Sequence, residues 1–223
     1  MKIKMNLKIT LITFLLAFTF LGCKKENTFS DYKYNDKPEV LACNGLNSKL
    51  YQEALYSFED DILNYYGKAK PNTSLVQAYS QLLRNSIYGR LKFEDVISEH
   101  TVKVFEVLKN EDDLWDANNT KSHLNYSSNI IKCISNNMQD KSLKTTFDAL
   151  ISTNSLSPKL FGTPLMSKYR TALNDKYLAT YIALDLYYSK LFDIDLSKVN
   201  FDEPEPLDFN VIPQKSDTSA QTN

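Results

Sequence analysis

The chain has 223 residues, 43% of them hydrophobic, with 26 basic and 27 acidic side chains. That is enough apolar material for one domain with its own core. Arg84, Arg90 and Arg170 are the only arginines and there is no basic excess, which argues against a nucleic-acid partner, since such a partner needs a cationic surface.

Residues 1–8 carry Lys2, Lys4 and Lys8 and no acid, and an apolar run of 13 residues, Ile9 to Leu21, leads to Gly22 and Cys23. As a helix the run is about 20 Å long, short of the roughly 30 Å of a bilayer core. A basic start, a short apolar stretch and a small residue at a cut site specify an export signal over 1–22. Its end, Phe20-Leu21-Gly22-Cys23, resembles the lipobox of bacterial lipoproteins, with Phe20 where leucine is usual. The resemblance implies a diacylglycerol on the Cys23 sulfur, cleavage after Gly22 and acylation of the new amino group. Two or three acyl chains hold a protein far more firmly than one. Lys24, by the same resemblance to Gram-negative lipoproteins, implies passage to the outer membrane. Surface-displayed lipoproteins of Bacteroidota often carry acids just after the cysteine, so by that resemblance the lone acid Glu26 among residues 24–27 implies the periplasmic face rather than the surface. The Lys-, Asn- and Tyr-rich composition is similar to that of Bacteroidota proteins. Without the resemblance, the residues also fit an ordinary secretory signal followed by a chance cysteine.

Loss of the leader's three lysines leaves 23 basic against 27 acidic residues, a net charge of −4 that lies entirely in residues 201–223. Two further cysteines, Cys43 and Cys133, stand 90 residues apart. An exported compartment permits a bridge between them, worth roughly 4–5 kcal/mol by the loop-entropy argument. The other reading is two free thiols, with Cys133 buried as a small apolar residue.

Residues 23–38 are polar and read as a lipidated cysteine on a flexible tether, up to about 50 Å long if extended. Asn47 caps a first helix whose apolar stripe is Tyr51, Leu55, Phe58, Ile62 and Tyr65. Gln52, Glu53, Ser57, Asp60 and Asn64 fall on its other face, and Gly67 marks its end. Asn72 or Thr73 caps a second helix, with Leu75, Val76, Tyr79, Leu82, Leu83 and Ile87 inward and Gly89 as its stop. A third spans about 93–109, turning Phe93, Ile97, Val104 and Leu108 inward. Residues 110–122 form a loop around Trp115. A fourth helix covers about 122–138, with Leu124, Ile131, Ile134 and Met138 aligned, and a fifth about 140–152. Pro158, Gly162 and Pro164 break the chain. The last helix, about 165–192, is the longest and is apolar on nearly every face, as a central helix is. Residues 201–223, acidic and proline-containing, read as a disordered tail. The expected fold is therefore all-α, a compact bundle of about six helices over 39–200, with a long apolar C-terminal helix at its centre.

The chemistry is mostly excluded. The glycines are too far apart for a dinucleotide fingerprint or a phosphate-cradling loop. There is no Gly-x-Ser-x-Gly elbow. Neither His100 nor His123 begins a His-Glu-x-x-His pair, and His123 is expected to be exposed. Asp193, Asp195 and Ser197 open like a calcium loop, but Lys198 and Pro204 occupy positions that need glycine and glutamate. No metal or cofactor is expected. His100 lies on a buried stripe, as a core histidine with a partner or as a base or ligand. Asp185 has Leu178, Tyr181, Ile182, Tyr188 and Phe192 as helical neighbours. A carboxylate there is costly unless paired or hydrogen-bonded, and serves as a polar anchor or marks a site. Of the acidic runs, Glu94-Asp95 fits the first turn of a helix, while Glu59-Asp60-Asp61 and Glu111-Asp112-Asp113 read as solvated faces.

These readings favour a membrane-anchored envelope lipoprotein acting as a non-catalytic module that binds a protein partner or supports a complex. The alternative is a small-ligand-binding protein or hydrolase with a pocket around Asp185 and His100.

Overall fold

The computed structural model describes residues 29–201, and among these residues seven side chains start seven helices. Each accepts a hydrogen bond from a main-chain N–H in the first turn: Asn47, Ser74, Ser98, Ser128, Asp140, Ser157 and Asp175. Short polar side chains suit this place because the first N–H groups of a helix have no partner within it. The helices are α1 (Ser48–Ala69), α2 (Leu75–Ile87), α3 (Glu99–Leu108), α4 (Asn129–Asn137), α5 (Lys141–Ser152), α6 (Pro158–Ser167) and α7 (Lys176–Leu186). Among the described residues the only β pairing is an isolated bridge between Trp115 and Leu124. None of these helices is long and apolar enough to cross a membrane. The leader, Cys23 and the residues after 201 lie outside the described residues.

The boundaries differ from expectation where a cap overrides a pattern. α2 begins one residue after Ser74, not at Asn72 or Thr73, because Ser74 and Gln77 form a reciprocal capping box. Gly89 does end α2: its φ is +62° and Arg90 N–H reaches back to the Asn85 carbonyl, the geometry that favours glycine after a helix. Phe93–Asp95 is a separate 3₁₀ turn, so Glu94 and Asp95 do not sit in the first turn of α3, which Ser98 starts. Residues 122–128 precede α4 as loop rather than helix.

The long C-terminal helix is absent. Pro158 is the first residue of α6, where a missing N–H is harmless, and Gly162 and Pro164 lie inside that helix instead of breaking the chain. A 3₁₀ turn, Tyr169–Leu173, follows. Asp175 then caps a new helix, α7, of only 11 residues, and a further 3₁₀ turn runs from Tyr188 to Asp193. The expected apolar helix of 165–192 is thus four pieces. Asp175 is the physical reason: its Oδ1 accepts from Leu178 N and its Oδ2 from Gln139 N, so it restarts the helix and ties it to α5's approach. Every residue of α7 from Leu178 to Leu186 is buried, and the helix packs against α1, α2 and α4.

Cys43 and Cys133 are joined, with 6.1 Å between their α-carbons. The bridge fastens the segment before α1 to α4. The described part of the expected tether, residues 29–38, is docked: it runs along α1 and over the start of α3, with Phe29, Tyr32 and Tyr34 half-buried.

Candidate functional site

The inner face of α1 is more polar than its sequence stripe implies. Glu53, Ser57 and Asp61 recur every four residues, so they lie in one row along the helix. All three are buried, as are Gln52 and Glu59. The row faces α3, and three linked polar contacts result.

At its N-terminal end, Glu53 Oε1 lies 2.6 Å from His100 Nε2. The same carboxylate accepts main-chain N–H bonds from Lys33 at 2.7 Å and from Tyr34 at 3.1 Å. In the middle, the Ser57 and Thr101 hydroxyls are 2.6 Å apart. At the far end, Asp61 Oδ2 accepts from Thr101 Oγ1, from Tyr187 Oη at 2.6 Å and from Ser98 N at 3.1 Å. Burial pushes the Asp61 carboxyl above its usual range, and these hydrogen bonds oppose the rise. Asp61 also lines a surface depression of about 1020 Å³, whose wall carries Glu94, Asp95, Ser98, Glu99 and Lys198.

Asp185 occupies a second, separate cluster. It is fully buried. Its Oδ1 accepts from Tyr126 Oη at 2.9 Å and its Oδ2 from Tyr181 Oη at 2.7 Å. Desolvation raises its carboxyl, and hydrogen bonds from Ser122, Tyr181 and Tyr126 pull the other way. The Tyr181 hydroxyl, buried beside this acid, is held well above the ordinary tyrosine range by desolvation and then by the Asp185 charge. Asp185 therefore links the loop before α4 to α7.

His100 and Asp185 are not brought together. His100 meets Glu53, Asp31, Phe29 and Tyr34, and none of these meets Asp185. Neither residue lines the depression beside Asp61, nor a smaller one of about 580 Å³ between Asn47 and Asp113. His123 pairs with Asp193 at 2.9 Å and is half-exposed. A third acid, Glu59, accepts from Tyr79 Oη at 2.9 Å and pairs with Lys176 at 3.0 Å.

The acidic run 59–61 is thus divided, with Glu59 and Asp61 inside and Asp60 exposed. Glu53, Asp61 and Asp175 are the site residues that pattern reading passed over. The tyrosine content, 14 in all, signals that acids can be buried, since each phenol offers an apolar ring and a donor, but not which ones: of these three only Asp61 has a tyrosine hydroxyl as partner. Among the described residues no group of three or more His, Cys, Asp or Glu side chains is placed to hold a metal ion.

Comparison with protein-family models, with curated proteins and with solved structures finds no match.

Proposed function

We propose that the chain is a lipoprotein of the bacterial cell envelope, anchored through acyl chains on Cys23, whose helical body binds a protein partner and catalyses nothing. The outer membrane, on its periplasmic face, is the proposed location. The observation that carries this reading is the distance between anchor and body. Phe29, six residues after Cys23, packs against His100 of α3, so the anchor lies no more than about 20 Å of extended chain from the body. A body held that close to a bilayer meets partners in or beside the membrane. Internal use of the buried acids supports the non-catalytic part: Asp61, Asp185 and Glu59 each hold hydroxyl or ammonium partners from another part of the fold.

The hydrolase or small-ligand reading requires Asp185 and His100 in one cavity. Their separate surroundings remove its support.

Growth with a palmitate analogue, followed by fractionation, tests the anchor. The intact protein should carry label and sediment with membranes, and Cys23→Ala should lose both properties. Unlabelled protein in the soluble envelope fraction would sink the proposal.

A further inference from the structure

Residues 29–38 form a strap that the body holds by its main chain as well as by side-chain contacts of Asp31 with Lys103 and of Tyr34 with Asp60. Glu53 accepts from the Lys33 and Tyr34 amides. Gln52 Nε2 donates to the Tyr34 carbonyl at 2.7 Å and to the Lys37 carbonyl at 3.0 Å. Tyr56 Oη donates to the Pro38 carbonyl at 3.0 Å. Gln52, Glu53 and Tyr56 belong to one stretch of α1, so five main-chain groups of the strap meet three side chains of one helix. Contacts to main-chain groups do not depend on which side chains the bound segment carries. Side-chain selectivity enters through Phe29 and Tyr34, whose ring centroids lie 6.2 Å and 6.0 Å from that of His100, and through Tyr32, edge-on to Phe29 at 4.8 Å.

The strap fits this surface imperfectly. His100 is buried, and its Nδ1 has no hydrogen-bond partner. With an ionised Glu53 accepting from Nε2, the neutral tautomer of His100 leaves Nδ1 as a lone pair that needs a donor. What faces it is Asp31 Oδ2, another acceptor, at 3.9 Å, an oxygen that also pairs with Lys103 Nζ at 3.7 Å. A buried polar atom without a partner weakens the closed arrangement.

We infer that the groove formed by Gln52, Glu53, Tyr56 and His100 is a peptide-binding site, occupied in the free protein by the chain's own residues 29–38 and taken in the complex by an extended segment of a partner protein. The partner segment carries aromatic side chains in the places of Phe29, Tyr32 and Tyr34, and an amide or hydroxyl donor in the place of Asp31. The inference rests on the protein-binding reading and specifies the partner's chemistry. A closed strap lowers the apparent affinity for a competitor by the fraction of molecules in which the strap is open.

The test uses the purified full chain in detergent at pH 8 and labelled ten-residue peptides. One peptide has the strap's own sequence, FSDYKYNDKP. The other carries asparagine in the place of Asp31. The full-chain variant Phe29→Ala/Tyr34→Ala loosens the strap and leaves the groove intact, which hydrogen exchange at the Lys33 and Tyr34 amides verifies. That variant should bind either peptide about tenfold more tightly than the wild type, and the asparagine peptide several-fold more tightly than the other. Glu53→Ala added to it should abolish binding. In the intact chain Asp31→Asn should slow exchange at the same two amides. Freely exchanging amides with no peptide binding would overturn the site. Amides that stay protected in the loosened variant would also overturn it, by making the strap a fixed part of the core. If peptide binding fails while a membrane partner is still captured, the partner docks elsewhere. If it succeeds while no partner is captured, the groove stands and the envelope role falls.

Discussion

The buried acids respond to pH in a definite direction. Asp61 and Asp185 have carboxyls raised above the ordinary 3.8, each chiefly by desolvation. The folded state therefore holds their protons more tightly than the unfolded chain does. Their contribution to stability is complete below the unfolded value and is lost as pH rises through the folded value. Asp140 and Asp195 have lowered carboxyls through hydrogen bonds, so they act in the opposite sense, but only once pH falls below about 4. Between neutral pH and about 4, urea unfolding should thus show stability rising as Asp61 and Asp185 gain protons. Asp185→Asn should remove part of that rise, and an unchanged slope in this variant would contradict the assignment. Asp185→Ala leaves the Tyr126 and Tyr181 hydroxyls without their acceptor and should cost about 3 kcal/mol in the same assay. The burial of Asp185 could be read from its apolar neighbours in the sequence. The burial of Glu53 and Asp61 could not, because their partners, His100, Thr101 and Tyr187, lie 40 or more residues away.

Helices show the same division between local and distant information. α1, α2 and α5 follow the spacing of their apolar residues and the caps beside them, and both signals are local. The C-terminal region misled because continuous hydrophobicity gives no register at which a helix stops. Asp175 divides the run by starting a new helix within it, and its second hydrogen bond, to Gln139 N, is a tertiary contact that no periodicity encodes. Gly162 has a similar tertiary role. A β-carbon built there would lie 2.5 Å from Ile87 Cδ1 and 2.7 Å from its Cγ1, so this glycine lets α6 approach α2. Gly162→Ala should lower stability by about 1–3 kcal/mol. Ile87→Ala in the same chain should recover part of that loss, giving a coupling between the two changes in a double-mutant cycle. Purely additive losses would mean that the close approach is not the cause.

Across the whole molecule, two long-range links set the arrangement. The Cys43–Cys133 bridge closes a span of 90 residues. Reducing it should lower stability by roughly 4–5 kcal/mol, measured by urea unfolding with and without reductant. Two thiols titrating in the untreated, unfolded protein would contradict the bridge. The second link is the strap of residues 29–38, which brings the folded body to within a few residues of Cys23. An all-helical body and the bridge were both within reach of sequence reasoning. The docking of the strap was not, since most of its residues are polar and much of its grip is on main-chain atoms that leave no mark on composition. Anchored capture of a protein partner is the central claim. Its most direct test is mild cross-linking in native membranes, followed by purification of the intact chain and of Cys23→Ala. The account predicts one protein recovered at a one-to-one ratio with the wild type and lost with Cys23→Ala. Membrane-bound wild-type protein that brings down no partner would contradict it.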